Sequence, residues 1–181
     1  MTSHCTVKEA GPAIRLEPLV QGHAEEMFEV LAAPEIYAYL DEPGPLALGP
    51  LRERYRKLET RLSADGTQQW LNWVIRIEAT RQCAGFVQAT VYPDATAGFA
   101  YVLAPQFWGR GIAHAACVEA IDLLCRDYGV RALYATVDAR NARSINLLLR
   151  LGFAPLGREA YPHGEVAEGD RAFAKQLGSE T

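Results

Sequence analysis

Apolar and charged positions alternate over residues 13–17, the two-residue period of a half-buried strand, and Pro18 ends the run. Over residues 22–33 the period becomes helical, with Met27, Val30 and Leu31 on one face and Glu25, Glu26 and Glu29 elsewhere. Asp41-Glu42-Pro43-Gly44-Pro45 reads as a loop from its turn residues. A second helix is expected over 51–62, where Leu51, Tyr55, Leu58 and Leu62 recur at helical spacing. Its basic residues are interleaved with Glu53 and Glu59, the pattern of a solvated face. Asp65-Gly66 breaks it. Residues 70–77 and 84–92 are rich in β-branched and aromatic side chains and read as a hairpin, with 97–104 as the third strand of a meander. The longest helical pattern is 112–128, which turns Cys117, Ile121, Leu124 and Tyr128 inward and Glu119, Asp122 and Arg126 outward. A strand at 133–137, a helix at 142–151 stopped by Gly152, and strands at 153–158 and 171–177 complete the chain.

Without repeats, low-complexity tracts or linkers, these elements predict one domain over residues 13–177 behind a loose tail at 1–12. At 181 residues the chain buries roughly 70% of its unfolded surface, enough for a substantial core. A formal net charge of −4 and a pI near 5.6 argue against a sequence-independent grip on nucleic acid or an anionic membrane. No apolar run has membrane-spanning length, and residues 1–11 lack the regions of a signal peptide. Cys5, Cys83, Cys117 and Cys125 show neither a C-x-x-C spacing nor a histidine ladder, so no metal is expected. Cys117 and Cys125 are too far apart on one helix to bridge, and reduced thiols in a cytoplasmic protein are the expectation.

The most chemical stretch is Gln106-Phe107-Trp108-Gly109-Arg110-Gly111-Ile112-Ala113, where an apolar strand gives way to a two-glycine turn and then a helix. Glycines leave no side chain between backbone and ligand, and the helix aims unpaired N–H groups and its positive dipole end at the same spot. Such a turn suits a pyrophosphate. It also suits a Rossmann dinucleotide site, with Asp138 after the next strand as the acidic partner. Against that, His114 occupies the third glycine position and the preceding strands look antiparallel.

A second segment lies one helix and one strand downstream: Asn141, Ser144 three residues on, and a closing Leu151-Gly152-Phe153. Together the two segments resemble the GCN5-related N-acetyltransferase superfamily, and within it the ribosomal-protein N-terminal (RimJ/RimL-like) subgroup. Ile14-Arg15-Leu16-Glu17-Pro18-Leu19 looks like that family's first strand, and residues 32–40 like the end of its first helix. The resemblance covers residues 13–175. It implies an α/β (α+β) fold: a central mixed, largely antiparallel sheet of about seven strands flanked by about four helices. It also implies transfer of an acetyl group from acetyl-CoA to a primary amine, by direct attack in a ternary complex and without a metal. A homodimer stays open, as does a catalytically silent acyl-CoA sensor or scaffold.

Carried over position by position, the resemblance gives the pyrophosphate N–H groups to Trp108, Gly109, Arg110, Gly111, Ile112 and Ala113. Trp108 also reads as a packing residue, and Arg110 as either a phosphate partner or a solvated side chain. Backbone groups around Val102 and Leu103 would pair with the pantetheine arm. Asn141 would both cap its helix and bond the pantetheine. Ser144 would sit beside the sulfur as proton donor to the leaving thiolate. Two departures limit the mechanism. Gly98 stands where many relatives carry a glutamate base, and Leu148 where many carry a tyrosine acid. Candidate bases on the acceptor side are Glu35, Asp41, Glu42, His163 and Glu165, and Tyr37, Tyr39 and Tyr161 are candidate lining residues. The acceptor, a protein α-amine or a small-molecule amine, is left open.

Overall fold

The strand patterns assemble into one seven-stranded sheet in the computed structural model, which describes residues 12–40 and 43–178. The strands are β1 (Ile14–Pro18), β2 (Gln69–Ile77), β3 (Cys83–Val91), β4 (Thr96–Leu103), β5 (Ala132–Asp138), β6 (Ala154–Leu156) and β7 (Asp170–Gln176), in the order β1-β2-β3-β4-β5-β7-β6. Every neighbouring pair is antiparallel except β4–β5. That order excludes the doubly wound parallel sheet of a Rossmann fold. Four helices flank the sheet: α1 (Ala24–Val30), α2 (Leu48–Leu58), α3 (Ile112–Tyr128) and α4 (Ala142–Arg150). This is the mixed, largely antiparallel architecture expected from the sequence. The tail at 1–11 and the loop residues Asp41 and Glu42 lie outside the described residues.

Helix boundaries moved where proline decides them. Residues 32–40 do not continue the first helix; Pro34–Tyr39 is a separate 3-10 helix behind Leu31, with Ala33 extended. Pro34 lacks the N–H that continuation would need and disfavours a helical residue before it. The second helix starts earlier than expected because Pro50 falls in its first turn, where an N–H has no intrahelical acceptor. It also ends earlier. Leu62 is exposed and bridges Gln69 beyond the helix.

Met27, Val30 and Leu31 are buried as their spacing requires, as are Cys117, Ile121 and Leu124 on α3. Tyr128 is half-buried and accepts a hydrogen bond from Arg61 at 2.8 Å. On α4 the buried set is Ile145, Leu147 and Leu148, while Leu149 is exposed. A polar network fastens β1, β2 and α1. Arg76 Nε donates to Glu17 at 2.9 Å, its NH1 to Glu26 at 2.8 Å, and the Cys83 thiol to Glu26 at 3.1 Å.

One discontinuity positions everything that follows. β4 and β5 pair only over Thr96–Gly98 against Ala132–Tyr134. Beyond Gly98, β4 follows β3 as far as Leu103, while β5 follows β7 to Asp138. The two strands therefore part. Gly85 (φ +155°) keeps β4 tight against β3, since a Cβ there would meet the Val102 carbonyl oxygen at 2.0 Å.

Candidate active site

The parting strands open a cleft of about 830 Å³. Its edges are residues 99–103 of β4 and 135–138 of β5. The glycine turn and first residues of α3 line it beyond β4, residues 168–170 line it beside Asp138 of β5, and α4 and the 3-10 helix complete the lining. Backbone direction along β4 follows from two bonds. Ala104 N–H donates to Ala84 O of the β3 side, whereas Leu103 O accepts the Trp108 indole N–H at 2.7 Å. Antiparallel alternation then turns Ala100 and Val102 toward β3 and Tyr101 and Leu103 toward the opening. Leu103 thus offers its N–H to the cleft, and Tyr101 both backbone groups, while Val102 lines the cleft with its backbone polar groups facing β3.

Both glycines of the turn have left-handed backbones, Gly109 at φ +73° and Gly111 at φ +74°. A Cβ on Gly109 would meet nothing within 4 Å, and one on Gly111 only Pro12. Open space lies over the helix N-terminus, where an anion is favoured. Gly111 is the N-cap and provides no capping side chain, so the first N–H groups of α3 are not taken by a cap. Trp108 is partly buried beneath the Arg143 guanidinium, whose carbon lies 3.7 Å from the ring centroid. Arg110 is exposed and does not line the cleft.

Asn141 caps α4: its Oδ1 accepts the Ser144 N–H at 3.1 Å. Its Nδ2 is the group left for a ligand. The Ser144 hydroxyl lies 2.9 Å from the Tyr101 hydroxyl, which also donates to the Ser144 carbonyl at 3.1 Å. Burial raises the Tyr101 phenol above its ordinary range. Tyr101 was not picked out from the sequence. Its place in the alternation with Phe99 and Leu103 marks only a strand face, and its partner lies 43 residues away. Arg143, Arg150 and His114 also line the cleft without a sequence signal.

The acceptor-side candidates divide. Glu35 and Tyr39 line the cleft, as do Leu40, Glu168 and Asp170. There Asp138 is drawn down to about 2 by its hydrogen bond to Arg140. Tyr37 lies outside the lining and donates to Leu31 O at 2.8 Å beneath Gly44. His163 sits in a separate, smaller pocket. It stacks on Tyr92 at 3.8 Å, with Tyr134 and Tyr161 edge-on. The Thr96 hydroxyl donates to Asp94 at 2.7 Å, so His163 Nε2 donates to Thr96 at 3.1 Å. Burial lowers the His163 pKa. A Cβ on Gly98 would lie 4.0 Å from the Tyr92 ring, and Leu148 is buried in the α4 wall. No group of three His, Cys, Asp or Glu side chains able to hold a metal occurs among the described residues.

Residues 13–154 match the family described as acetyltransferase (GNAT) domain. No curated protein sequence matches the chain. Solved structures share the fold across nearly their whole lengths. The GNAT-family acetyltransferase of Bacillus anthracis aligns with a TM-score of 0.72 at 16% identity, covering 92% of this chain and 96% of that one. Vibrio cholerae spermidine N-acetyltransferase, solved with CoA and spermine, aligns at 0.72 and 20% identity, covering 90% and 95%. RimL, a ribosomal L7/L12 alpha-N-protein acetyltransferase, aligns at 0.70 and 17% identity, covering 91% and 90%.

Proposed function

The chain belongs to the acetyltransferase (GNAT) domain family, and from that premise we propose that it transfers the acetyl group of acetyl-CoA to a primary amine by direct attack in a ternary complex. The observation that carries this reading is the parting of β4 from β5 in front of the glycine turn. It provides a slot with strand hydrogen-bonding groups on one side and a helix N-terminus at one end. A long thioester with a pyrophosphate needs both features.

In this reading Gly109, Gly111, Ile112 and Ala113 bind the pyrophosphate, and the Tyr101 and Leu103 edge of β4 pairs with the pantetheine. A backbone N–H on that edge polarises the thioester carbonyl as charge develops on its oxygen. Asn141 Nδ2 supports the arm, and the Ser144 hydroxyl donates to the sulfur. The carboxylates of Glu35, Glu168 and Asp170 in the lining draw a cationic acceptor toward the cleft. A protein N-terminus, as for the RimJ/RimL-like subgroup, and a small-molecule amine both suit that lining.

The test is a panel of amines assayed by CoA release, beside melting with acetyl-CoA. At 100 times its dissociation constant the ligand should stabilise the fold by roughly 2.7 kcal/mol, a shift on the order of 5–10 °C. A shift without turnover on any amine would make the chain an acyl-CoA sensor. No shift at all would remove the reading.

A further inference from the structure

We infer that Tyr101 is a positioning residue for acyl transfer: it holds the Ser144 hydroxyl at the cleft and strengthens the hydrogen bond that hydroxyl gives the departing sulfur. The inference rests on the acetyl-transfer reading above, with Ser144 at the thioester.

The two hydroxyls come from different elements, β4 and α4, and both residues line the cleft. Each is held by its own surroundings. The N–H of Ser144 is bonded to the Asn141 cap, and the Tyr101 ring packs obliquely against Phe99 at 6.4 Å. A phenol has one hydrogen and a carbonyl only accepts, so the hydrogen in the 3.1 Å bond to the Ser144 carbonyl belongs to Tyr101. At 2.9 Å the serine hydrogen is therefore given to the Tyr101 oxygen at rest.

This arrangement has a second state with the same heavy-atom positions. As the amine nitrogen forms its bond to the acyl carbon, the carbon–sulfur bond breaks and its electron pair leaves on sulfur. The amine proton passes to water. Ser144 turns its hydrogen from Tyr101 to the sulfur, and Tyr101 turns its own from the carbonyl to the Ser144 oxygen. No proton leaves either side chain. A hydroxyl that accepts one hydrogen bond while donating another is the stronger donor. Tyr101 is poorly suited to act as the acid itself. A thiol ordinarily ionises near 8.5, and burial raises the phenol above its ordinary 10. Handing over the phenolic proton would be uphill.

Tyr101→Phe, Ser144→Ala and the double variant test this by initial rates of CoA release with the best acceptor of the panel. Ser144→Ala should lower kcat about 10- to 100-fold, the scale of one hydrogen bond to a charged group. Tyr101→Phe should lower it about 3- to 10-fold, the scale of one hydrogen bond, with the acetyl-CoA KM within about twofold. The double variant should be no slower than Ser144→Ala. Phe keeps the ring, so the melting temperature and acetyl-CoA affinity should hold, which a mere β4–α4 staple would not predict. Full kcat in Tyr101→Phe beside a slow Ser144→Ala would overturn the role of Tyr101 alone. Full kcat in both would overturn the placement of Ser144 and this inference with it, as would turnover on no amine. Multiplying losses in the double variant would show that Tyr101 acts apart from Ser144. An alkaline limb of kcat lost in Tyr101→Phe would make the phenol a proton donor and end the positioning role.

Discussion

At the scale of single residues, the proposed acetyl-CoA site is tested most directly at Gly111. Its φ of +74° is one that a β-branched residue avoids, yet its surroundings are open: an added Cβ would come no nearer than 3.6 Å to Pro12. Fold and binding should therefore separate in Gly111→Val. Stability should fall by about 1–3 kcal/mol from backbone strain alone, with the protein still folded. Acetyl-CoA affinity should fall at least about 100-fold, because the new methyl groups occupy the approach to the helix N-terminus. Titration calorimetry on the variant checks this, and unchanged affinity would reduce the turn to a helix start. Tyr55 offers the opposite case. It is buried on α2, and its hydroxyl has no hydrogen-bond partner among the described residues. A buried, unsatisfied hydroxyl costs free energy. Tyr55→Phe should be neutral or stabilising by up to about 1 kcal/mol in urea unfolding. A loss beyond 1 kcal/mol would mean that the hydroxyl is bonded in solution.

At the scale of elements, the network joining β1, β2 and α1 should give the fold an acid-sensitive step. The Arg76 guanidinium holds Glu17 at about 2, below its ordinary 4.5. A carboxyl depressed in the folded state stabilises fully above its unfolded pKa and stops doing so as pH falls toward its folded one. The contribution, at most roughly 3 kcal/mol, should be complete above about pH 4.5 and drain away toward pH 2. Glu26 shifts in the same direction, chiefly through the Cys83 thiol and then Arg76. Unfolding free energies from pH 2 to 6 should slope less steeply in Glu17→Gln than in wild type; equal slopes would place the acid sensitivity elsewhere. These elements were themselves readable in advance because alternation and helical spacing are local properties. Their ends were not, where competing local signals met. Pro34 stopped a helix whose apolar spacing continued past it, and Pro50 admitted a turn whose residues lacked that spacing. The network was unreadable for another reason: Glu17 and Arg76 stand 59 residues apart and meet only through the β1–β2 register.

At the scale of the whole molecule, the part of the candidate site that local backbone chemistry defines was legible, and the part that chain packing assembles was not. Glycine spacing announced the turn before α3, and Asn141 with Ser144 announced the cap of α4. Tyr101 became visible only once β4 lay beside α4, and His163, on the loop before β7, packs on Tyr92 rather than in the cleft. The pH dependence of turnover depends on this same division. Glu35 lines the cleft but is exposed, Gly98 carries no carboxylate, and Leu148 is buried without an acid. With neither the glutamate nor the tyrosine that many relatives carry at these two positions, we propose that deprotonation falls mainly to the acceptor's own equilibrium with water. Below saturation, kcat/KM should rise about tenfold per pH unit while the amine is protonated and level off near the acceptor's own pKa. That plateau should begin near pH 8 for a peptide α-amine and near pH 10 for a lysine-like alkylamine. Glu35→Gln should shift neither curve by more than about twofold. A plateau near neutrality common to both acceptors and abolished in Glu35→Gln would instead identify that carboxylate as the enzyme's own base, taking the proton from the amine within the cleft.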